Sequence, residues 1–477
     1  MKKKYVRWTL WTIASPFILF VILCILIYLP PIQNFLVDKA AVYASEATGM
    51  NISVGRISLS FPLNLVVTDV DAASPHNDTL LSVRRLQVNV QLLPLLKKQV
   101  EVDGISLQGA TVNSNDLIHG MKLNGTLGEL FISSHGVALD PETAIVNKVL
   151  LKDTDLSLCL NDTAAADTAA SDTTYWKIIL QDIDLQNVSF ALDMPLDSLS
   201  LAASLDNAIL RDGLIDLHKS AYSLQTFRIK NGRVRYDSGR PSATASADSL
   251  SAGLDPSHIA LTDIGVKLDS LYYEGRNMKA IISQFVLKER SGVEIVSATG
   301  RMVSNDKVLR VPSLKLETRD SYLELNAAMD WNALDFKGEG LVSARLMADI
   351  GKPDVVRFMG RMDEKFVRQY PSEPLRIRTG IDGDLNKLKL TTLTAELPGA
   401  LGLFARGELT HLTDSLLRGG DITLEAETKD LKFVSTLAEG IEIPYGTRLE
   451  GKFTMAGAKM GTDLLLMQPE AQAVAAA

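Results

Sequence analysis

One eight-residue phrase occurs four times in the first half of the chain, and it constrains the fold more than any other feature. An apolar residue stands at its first, third and eighth positions and a small turn-former at its fifth. The copies are Ile105–Val112, Val149–Leu156, Ile183–Phe190 and Phe227–Val234, with Gly109, Asp153, Asn187 and Asn231 at position five. Glycine, asparagine and aspartate tolerate backbone angles that other residues avoid. The phrase therefore reads as one strand end joined to the next strand start across a turn. The copies begin 44, 34 and 44 residues apart, too irregular for a strict solenoid but suited to a long sheet assembled from modules.

The N-terminus places that sheet. Trp8 to Leu29 is a run of 22 residues without a charge, and about 20 apolar residues cross a bilayer core. Lys2, Lys3, Lys4 and Arg7 precede it, so the positive-inside rule keeps the tip cytoplasmic and sends the remainder across. Trp8, Trp11 and Tyr28 mark the two interfaces, and Phe17 and Phe20 belong to the apolar stretch between them. A cleaved signal peptide is the competing reading. It calls for an apolar core of roughly 7–15 residues and a small-residue cleavage site, whereas Pro30-Pro31-Ile32-Gln33 follows here. Bulky Leu23 before Cys24 argues against a lipoprotein signal.

Beyond residue 29 lie all 57 acidic residues and 45 of the 49 basic ones, a formal balance of −12. No basic stripe with interleaved aromatics occurs, which argues against a nucleic-acid partner. Cys24 and Cys159 are the only cysteines, one inside the apolar span, so no disulfide framework is expected.

Gln33 to Thr48 has a helical apolar period ending at Gly49, a natural C-cap. The period then becomes two. Leu59, Phe61, Leu63 and Leu65 alternate with polar residues, as do Leu86, Val88, Val90 and Leu92, and later Leu323 and Leu325. Alternate residues of a strand share a face, so these ten are the candidate lining of an apolar surface. The alternation reads the same whether that surface lines a groove or packs against another sheet. Breaks fall at residues 74–77, 161–174, 238–256 and 352–353, and Ala344 to Gln369 reads as one or two short helices inserted between strands.

Nothing in the chain has the spacing of reactive chemistry. The six histidines are scattered, and there is no phosphate loop or nucleophile elbow. Asp153/Asp155 and Asp182/Asp184 alternate with apolar residues, as the wet face of a strand does. The Asp-Ser and Asp-Thr dipeptides are turn chemistry, although followed by small or apolar residues they also resemble a bacterial periplasmic O-glycosylation signal. No enzyme, cofactor or metal site is expected.

The order of these patterns resembles a known family. Val54-Gly-Arg-Ile-Ser-Leu-Ser-Phe61 is followed by Leu65-Val-Val-Thr-Asp-Val70 and Leu80-Leu-Ser-Val-Arg-Arg-Leu-Gln-Val-Asn-Val90. Then come Leu92-Leu-Pro-Leu-Leu-Lys-Lys98 and Val100-Glu-Val-Asp-Gly-Ile-Ser-Leu-Gln-Gly-Ala-Thr-Val112. This succession resembles the N-terminal region of AsmA-like proteins, more closely the TamB branch. Pro312 to Leu325 and Leu393 to Gly399 are similar to the TamB body. The resemblance implies an inner-membrane anchor, a periplasmic β-groove with an apolar lining, and a role in outer-membrane biogenesis. That role has two forms: conducting phospholipid between membranes, or assisting insertion of outer-membrane proteins with a barrel partner of the TamA type. The C-terminal domain typical of TamB has no counterpart after Leu466.

The expected architecture is thus all-β, an elongated curled groove of roughly forty antiparallel strands about 4.8 Å apart. It divides into a tip and transmembrane anchor (1–30), a juxtamembrane helix (31–50), an AsmA-like groove (51–240), its continuation (241–466) and an unstructured tail (467–477).

Overall fold

A computed structural model describes residues 39, 41, 42, 45, 46 and 49–467, apart from 61–63, 75–78, 92–101, 115–119, 139–141, 162–174, 240–252, 336–339, 360–362, 438–443 and 458. The apolar run 8–29, with Trp8, Trp11, Phe17, Phe20 and Tyr28, lies outside the described residues, as does the tail beyond Met467. Among the described residues no helix is long and apolar enough to cross a membrane. Lys39, Ala41, Val42, Ser45 and Glu46 are helical. Gly49, at φ +70°, ends this helix by donating its N–H to the Ser45 carbonyl at 2.9 Å. The Ser45 hydroxyl then accepts from the Ile52 N–H at 3.0 Å, tying helix to sheet.

The chain forms two compact units, residues 1–218 and 219–477. The first holds β1 (Asn51–Ser60), β2 (Asn64–Ala73), β3 (Thr79–Val90), β4 (Val102–Asn113), β5 (Met121–Ala138), β6 (Thr143–Leu160), β7 (Lys177–Met194) and β8 (Leu199–Asp216). Each pairs with the next, antiparallel except for β6 and β7, which are parallel. That one parallel pair corrects the expectation of antiparallel strands throughout. Parallel neighbours need a crossover of a dozen or more residues, and residues 161–176 supply the length.

The second unit holds β9 (Ala221–Leu224), β10 (Thr226–Ser238), β11 (His258–Glu274), β12 (Asn277–Glu289), β13 (Glu294–Ser304), β14 (Val308–Thr318), β15 (Tyr322–Asp330) and β16 (Val342–Ile350). Helices α1 (Lys352–Met359) and α2 (Glu364–Gln369) follow, then β17 (Leu375–Gly383), β18 (Lys387–Leu397), β19 (Leu401–Thr410), β20 (Gly419–Thr428), β21 (Arg448–Ala456) and β22 (Lys459–Met467). From β10 onward consecutive strands pair antiparallel, and β9 lies against β11. The described strands number 22, not forty, because many run 9–18 residues and so use more chain per strand than the short strands expected.

The repeated phrase does not join strands. Its copies lie inside β4, β6, β7 and β10, and position five is a left-handed residue within the strand: Gly109 at φ 63°, Asp153 at 50°, Asn187 at 51° and Asn231 at 55°. Three more copies share the geometry: Leu65–Ala72 around Asp69, Ala208–Ile215 around Asp212, and Ile259–Val266 around Asp263. A left-handed residue is costly for most side chains and tolerated by Gly, Asn and Asp, which explains the composition of position five. It also explains the spacing. A left-handed residue uses up one step of the strand's alternation, so apolar residues stay on one face only if they sit at positions one, three, six and eight. In β4 the exposed polar residues change parity at the same point, Gln108 before Gly109 and Thr111 and Asn113 after it.

In the first unit these left-handed residues, apart from Asp212, lie on a crease. Gly55, Asp69, Arg84, Gly109, Gly128, Asp153, Asn187 and Asp206 fall on one line across β1–β8, where each ladder omits a residue on both strands and resumes in the same register. The strands approach closely there. A Cβ on Gly55 or Gly128 would lie 2.9 Å from the Asp69 Cβ or 2.8 Å from the Asp153 Cβ, so glycine faces the left-handed residue of its neighbour. The Asn187 amide donates to the Asp153 carboxylate at 2.9 Å along the same line.

The second unit also has left-handed residues, Asn231 on β10 and Asp263 on β11, but there the ladders change register, one strand carrying extra residues at each shift. Pro312 sits in such a shift, between Val311 and Leu314 of β14. A bulge suits a residue with no N–H to give the ladder.

Candidate functional site

The register turns the alternation of single strands into rows that cross whole sheets. Leu59 lies opposite Leu65, and the row continues through Val88, Ile105, Ile132, Val149 and Ile183 to Leu210. Two residues along, Ile57, Val67, Leu86, Leu107, Leu130, Leu151, Leu185 and Ala208 make a second row. Every position in both is apolar. The row that follows, Arg56, Thr68, Arg85, Gln108, Glu129, Lys152, Gln186 and Asn207, belongs to the other face and is polar throughout. Cross-strand neighbours touch directly, so the first unit carries an apolar band continuous across eight strands.

The structure thus brings Leu59, Leu65, Leu86 and Val88 onto one face. Val90 pairs with Val102, just past a register shift. Phe61, Leu63 and Leu92 lie outside the described residues. Leu130, Ile132, Ala208 and Leu210 escaped the sequence analysis, and Leu151 entered it only as the third position of the repeated phrase. In β5, Leu127, Leu130 and Ile132 step by three and then two because the crease intervenes, and that irregular step hides a period-two pattern.

Leu323 and Leu325 belong to the equivalent band of the second unit. Leu323 stands between Leu316 and Ala348, and its row runs from Ile229 on β10 through Val266, Phe285 and Ala298, then on through Ile377, Ala395, Leu403, Ala426 and Leu449 to Leu466 on β22. All thirteen positions are apolar. Leu325 lies between Leu314 and Leu346 in the row beside it.

One margin of this second band is covered. Leu375, Leu397 and Leu401 lie two residues on from Ile377, Ala395 and Leu403, hence on the same face. They pack with Phe366 and Tyr370 of the α2 region and with Phe433 of the 3-10 turn Lys432–Thr436. The three rings stand 5.1–5.8 Å apart between centroids, a spacing at which tilted aromatic pairs attract. Burial pushes the Tyr370 phenol above its ordinary value, because the phenolate would lose water. Asp354 of α1 is 1% exposed and fixes this cap to the β14–β15 turn. Its carboxylate accepts from the Thr318 hydroxyl, from the Ser321 hydroxyl at 2.6 Å and from the Arg357 guanidinium at 3.1 Å.

The acidic pairs have structural partners. Asp182 and Asp184 both pair with Arg211 on β8, and Asp153 is the left-handed crease residue. Among the described residues no group of three or more His, Cys, Asp or Glu side chains is arranged to hold a metal. What the arrangement offers chemically is a large uncharged surface. The side chains of the first unit's two rows are all only partly buried, apart from Ala208, so water or a guest can reach them.

No protein-family model matches the sequence, and no curated protein matches it.

Proposed function

We propose that this chain shields and conducts phospholipid acyl chains, without catalysing a reaction, as an inner-membrane-anchored periplasmic protein of outer-membrane biogenesis. One observation carries the proposal: rows of apolar side chains, free of charge, cross every strand from β1 to β8 and from β10 to β22. A hydrocarbon guest gains from such a surface. Keeping a CH₂ group from water is worth about 0.8 kcal/mol, so a sixteen-carbon chain crossing unprotected loses about 12 kcal/mol. Headgroups stay in water and the tails exchange one apolar contact for the next along the rows. The resemblance to AsmA-like proteins and the apolar run 8–29 support the inner membrane as the point of loading.

The test is photocrosslinking of the full chain to a phospholipid carrying a diazirine in its acyl chain. Wild type should label on the apolar rows, while Val88→Asp and Leu325→Asp should each lose the adducts near the substitution and keep the β-sheet circular dichroism of wild type. Unlabelled wild type, or a charge that unfolds the chain, would mean that these faces are packed core.

A second reading has its own observation. On β22, which pairs with β21 among the described residues, Met460, Leu464 and Leu465 are exposed. Such a strand suits strand addition by an unfolded outer-membrane protein client, delivered to a TamA-type barrel. Crosslinks from Leu465 to a nascent barrel protein would favour this role.

A further inference from the structure

We propose that Ser415 is a modification site whose hydroxyl receives a sugar, an assignment independent of any lipid on the apolar rows. Asp followed by Ser or Thr and then by Ala, Leu or Thr occurs eight times in the chain, against three for the mirrored order. Composition alone favours neither order. Turn chemistry accounts for the first residue, whose short carboxylate accepts from backbone N–H groups just ahead of it. It asks for neither a hydroxyl second nor a small or apolar residue third. The order therefore points to a reader of all three side chains, in keeping with the likeness to an O-glycosylation signal.

The structure separates the copies. Three, at Asp197, Asp269 and Asp414, lie wholly among the described residues. Ser270 stands inside β11 opposite Ile281, and the Asp269 carboxylate accepts from the Ser283 hydroxyl. Ser198, at φ 52°, closes the turn after β7 by donating its N–H to the Pro195 carbonyl at 3.2 Å, and Leu199 enters β8. Both copies are thus committed to a ladder or a turn. The third lies in the connection between β19 and β20, residues 411–418. There Asp414 Oδ1 accepts from the Leu416 N–H at 2.8 Å and from the Leu417 N–H at 3.2 Å. The Asp414 carbonyl accepts from the Arg418 N–H at 2.8 Å. The backbone is held without the side chain of Ser415, which is exposed. Leu416 is 86% exposed, the most open large apolar side chain among the described residues. Hydroxyl and leucine are presented side by side on a fixed turn, and the fold uses neither. The connection leaves β19 at Thr410, the far end of that strand from Leu401 and the aromatic cap. A hydrophilic sugar there hinders association of exposed apolar faces at the uncapped margin.

The donor class is a sugar joined at its anomeric carbon to a polyprenyl phosphate. Ser415 Oγ attacks that carbon, and the bond from the carbon to the phosphate oxygen breaks as the new C–O bond forms. The hydroxyl proton passes to a base of the transferase, and the polyprenyl phosphate leaves with the bonding pair.

Mass spectrometry of the full chain, recovered from the membranes of the cell that makes it, tests this. Trypsin releases residues 407–418, with Ser415, and 268–276, with Ser270. Expected is a sugar increment on the first peptide, placed on Ser415 by electron-transfer fragmentation, and none on the second. Ser415→Ala should abolish it. Asp414→Asn keeps an oxygen acceptor for the turn, and Leu416→Glu changes a side chain that the fold leaves open, so both should melt as wild type does. Each should nevertheless lower the modified fraction about tenfold, the loss expected when one contact to the transferase goes. A bare 407–418 peptide in wild type, equal modification of Ser270, or an undiminished fraction in both variants overturns the assignment.

Discussion

The two units carry the same kind of apolar band and bend it by different means. In the first, all eight strands break their alternation on one line, with left-handed Asx or Gly on β2, β4, β6 and β7 and no change of register. In the second, the ladders shift register instead: both partners bulge in turn from β10 to β14, with left-handed Asn231 and Asp263 at two of the breaks, and β14 steps Leu309, Val311, Leu314, Leu316 opposite the unbroken β15 series Met329, Ala327, Leu325, Leu323. A shared line folds a whole sheet along one axis. Isolated bulges only increase twist locally, and the second unit closes one margin of its band with a helical cap instead. The first unit thus holds its apolar face open by backbone geometry, and the second part-covers it by packing.

That contrast sets a scale of expected effects. The largest belongs to the cap. Phe366, 1% exposed, should cost about 3–5 kcal/mol as Phe366→Ala, while Leu107→Ala on the half-buried first band should cost about 1 kcal/mol. Urea unfolding of both variants measures this, and equal losses would erase the distinction between open and covered faces. Next comes the backbone. Asp153→Val should destabilise by about 1–2 kcal/mol through its left-handed position, and Asp153→Gly should cost little of that. The matching change at the β14 bulge, Ser313→Val, should stay within about 0.5 kcal/mol. Thermal melts that rank Val and Gly alike at 153 would deny the crease its backbone origin.

The smallest effect is a titration. With its phenol raised by burial, Tyr370 is neutral in the native cap where the unfolded chain has begun to ionise. The native state then holds more protons, so this contribution is fully present below the ordinary phenol value of about 10 and is lost as pH rises from there through the raised native value. The melting-temperature difference between wild type and Tyr370→Phe, followed from neutral to alkaline pH, should change only above that value.

Much of this is legible in the residues. The period of two, the C-cap at Gly49 and the special backbone of Gly109, Asp153, Asn187 and Asn231 follow from local stereochemistry, and so does the helical insertion before Leu375, although it begins at Lys352: residues 344–350, expected as helix, belong to strand β16. Their arrangement does not. An Asp or Asn between apolar runs looks the same whether the chain turns back or creases and continues, because the difference lies in the partner strand. The offset of 34 between the second and third phrases is a case in point. It is the parallel register of β6 and β7, in which Val149 meets Ile183 and Leu156 meets Phe190, yet nothing within either phrase says whether the two run side by side.

The sequence by itself determined that the strands have one apolar face and where their backbone departs from the ordinary β region, since both depend on side-chain pattern and on each residue's own steric limits. Only the tertiary structure decided that these departures align across eight strands, that Phe366, Tyr370 and Phe433 meet over one margin of the second band, and that the remaining rows stay partly open. Those outcomes depend on register, and register is a property of pairs of strands distant in sequence, set by how their apolar faces and close backbone approaches fit together.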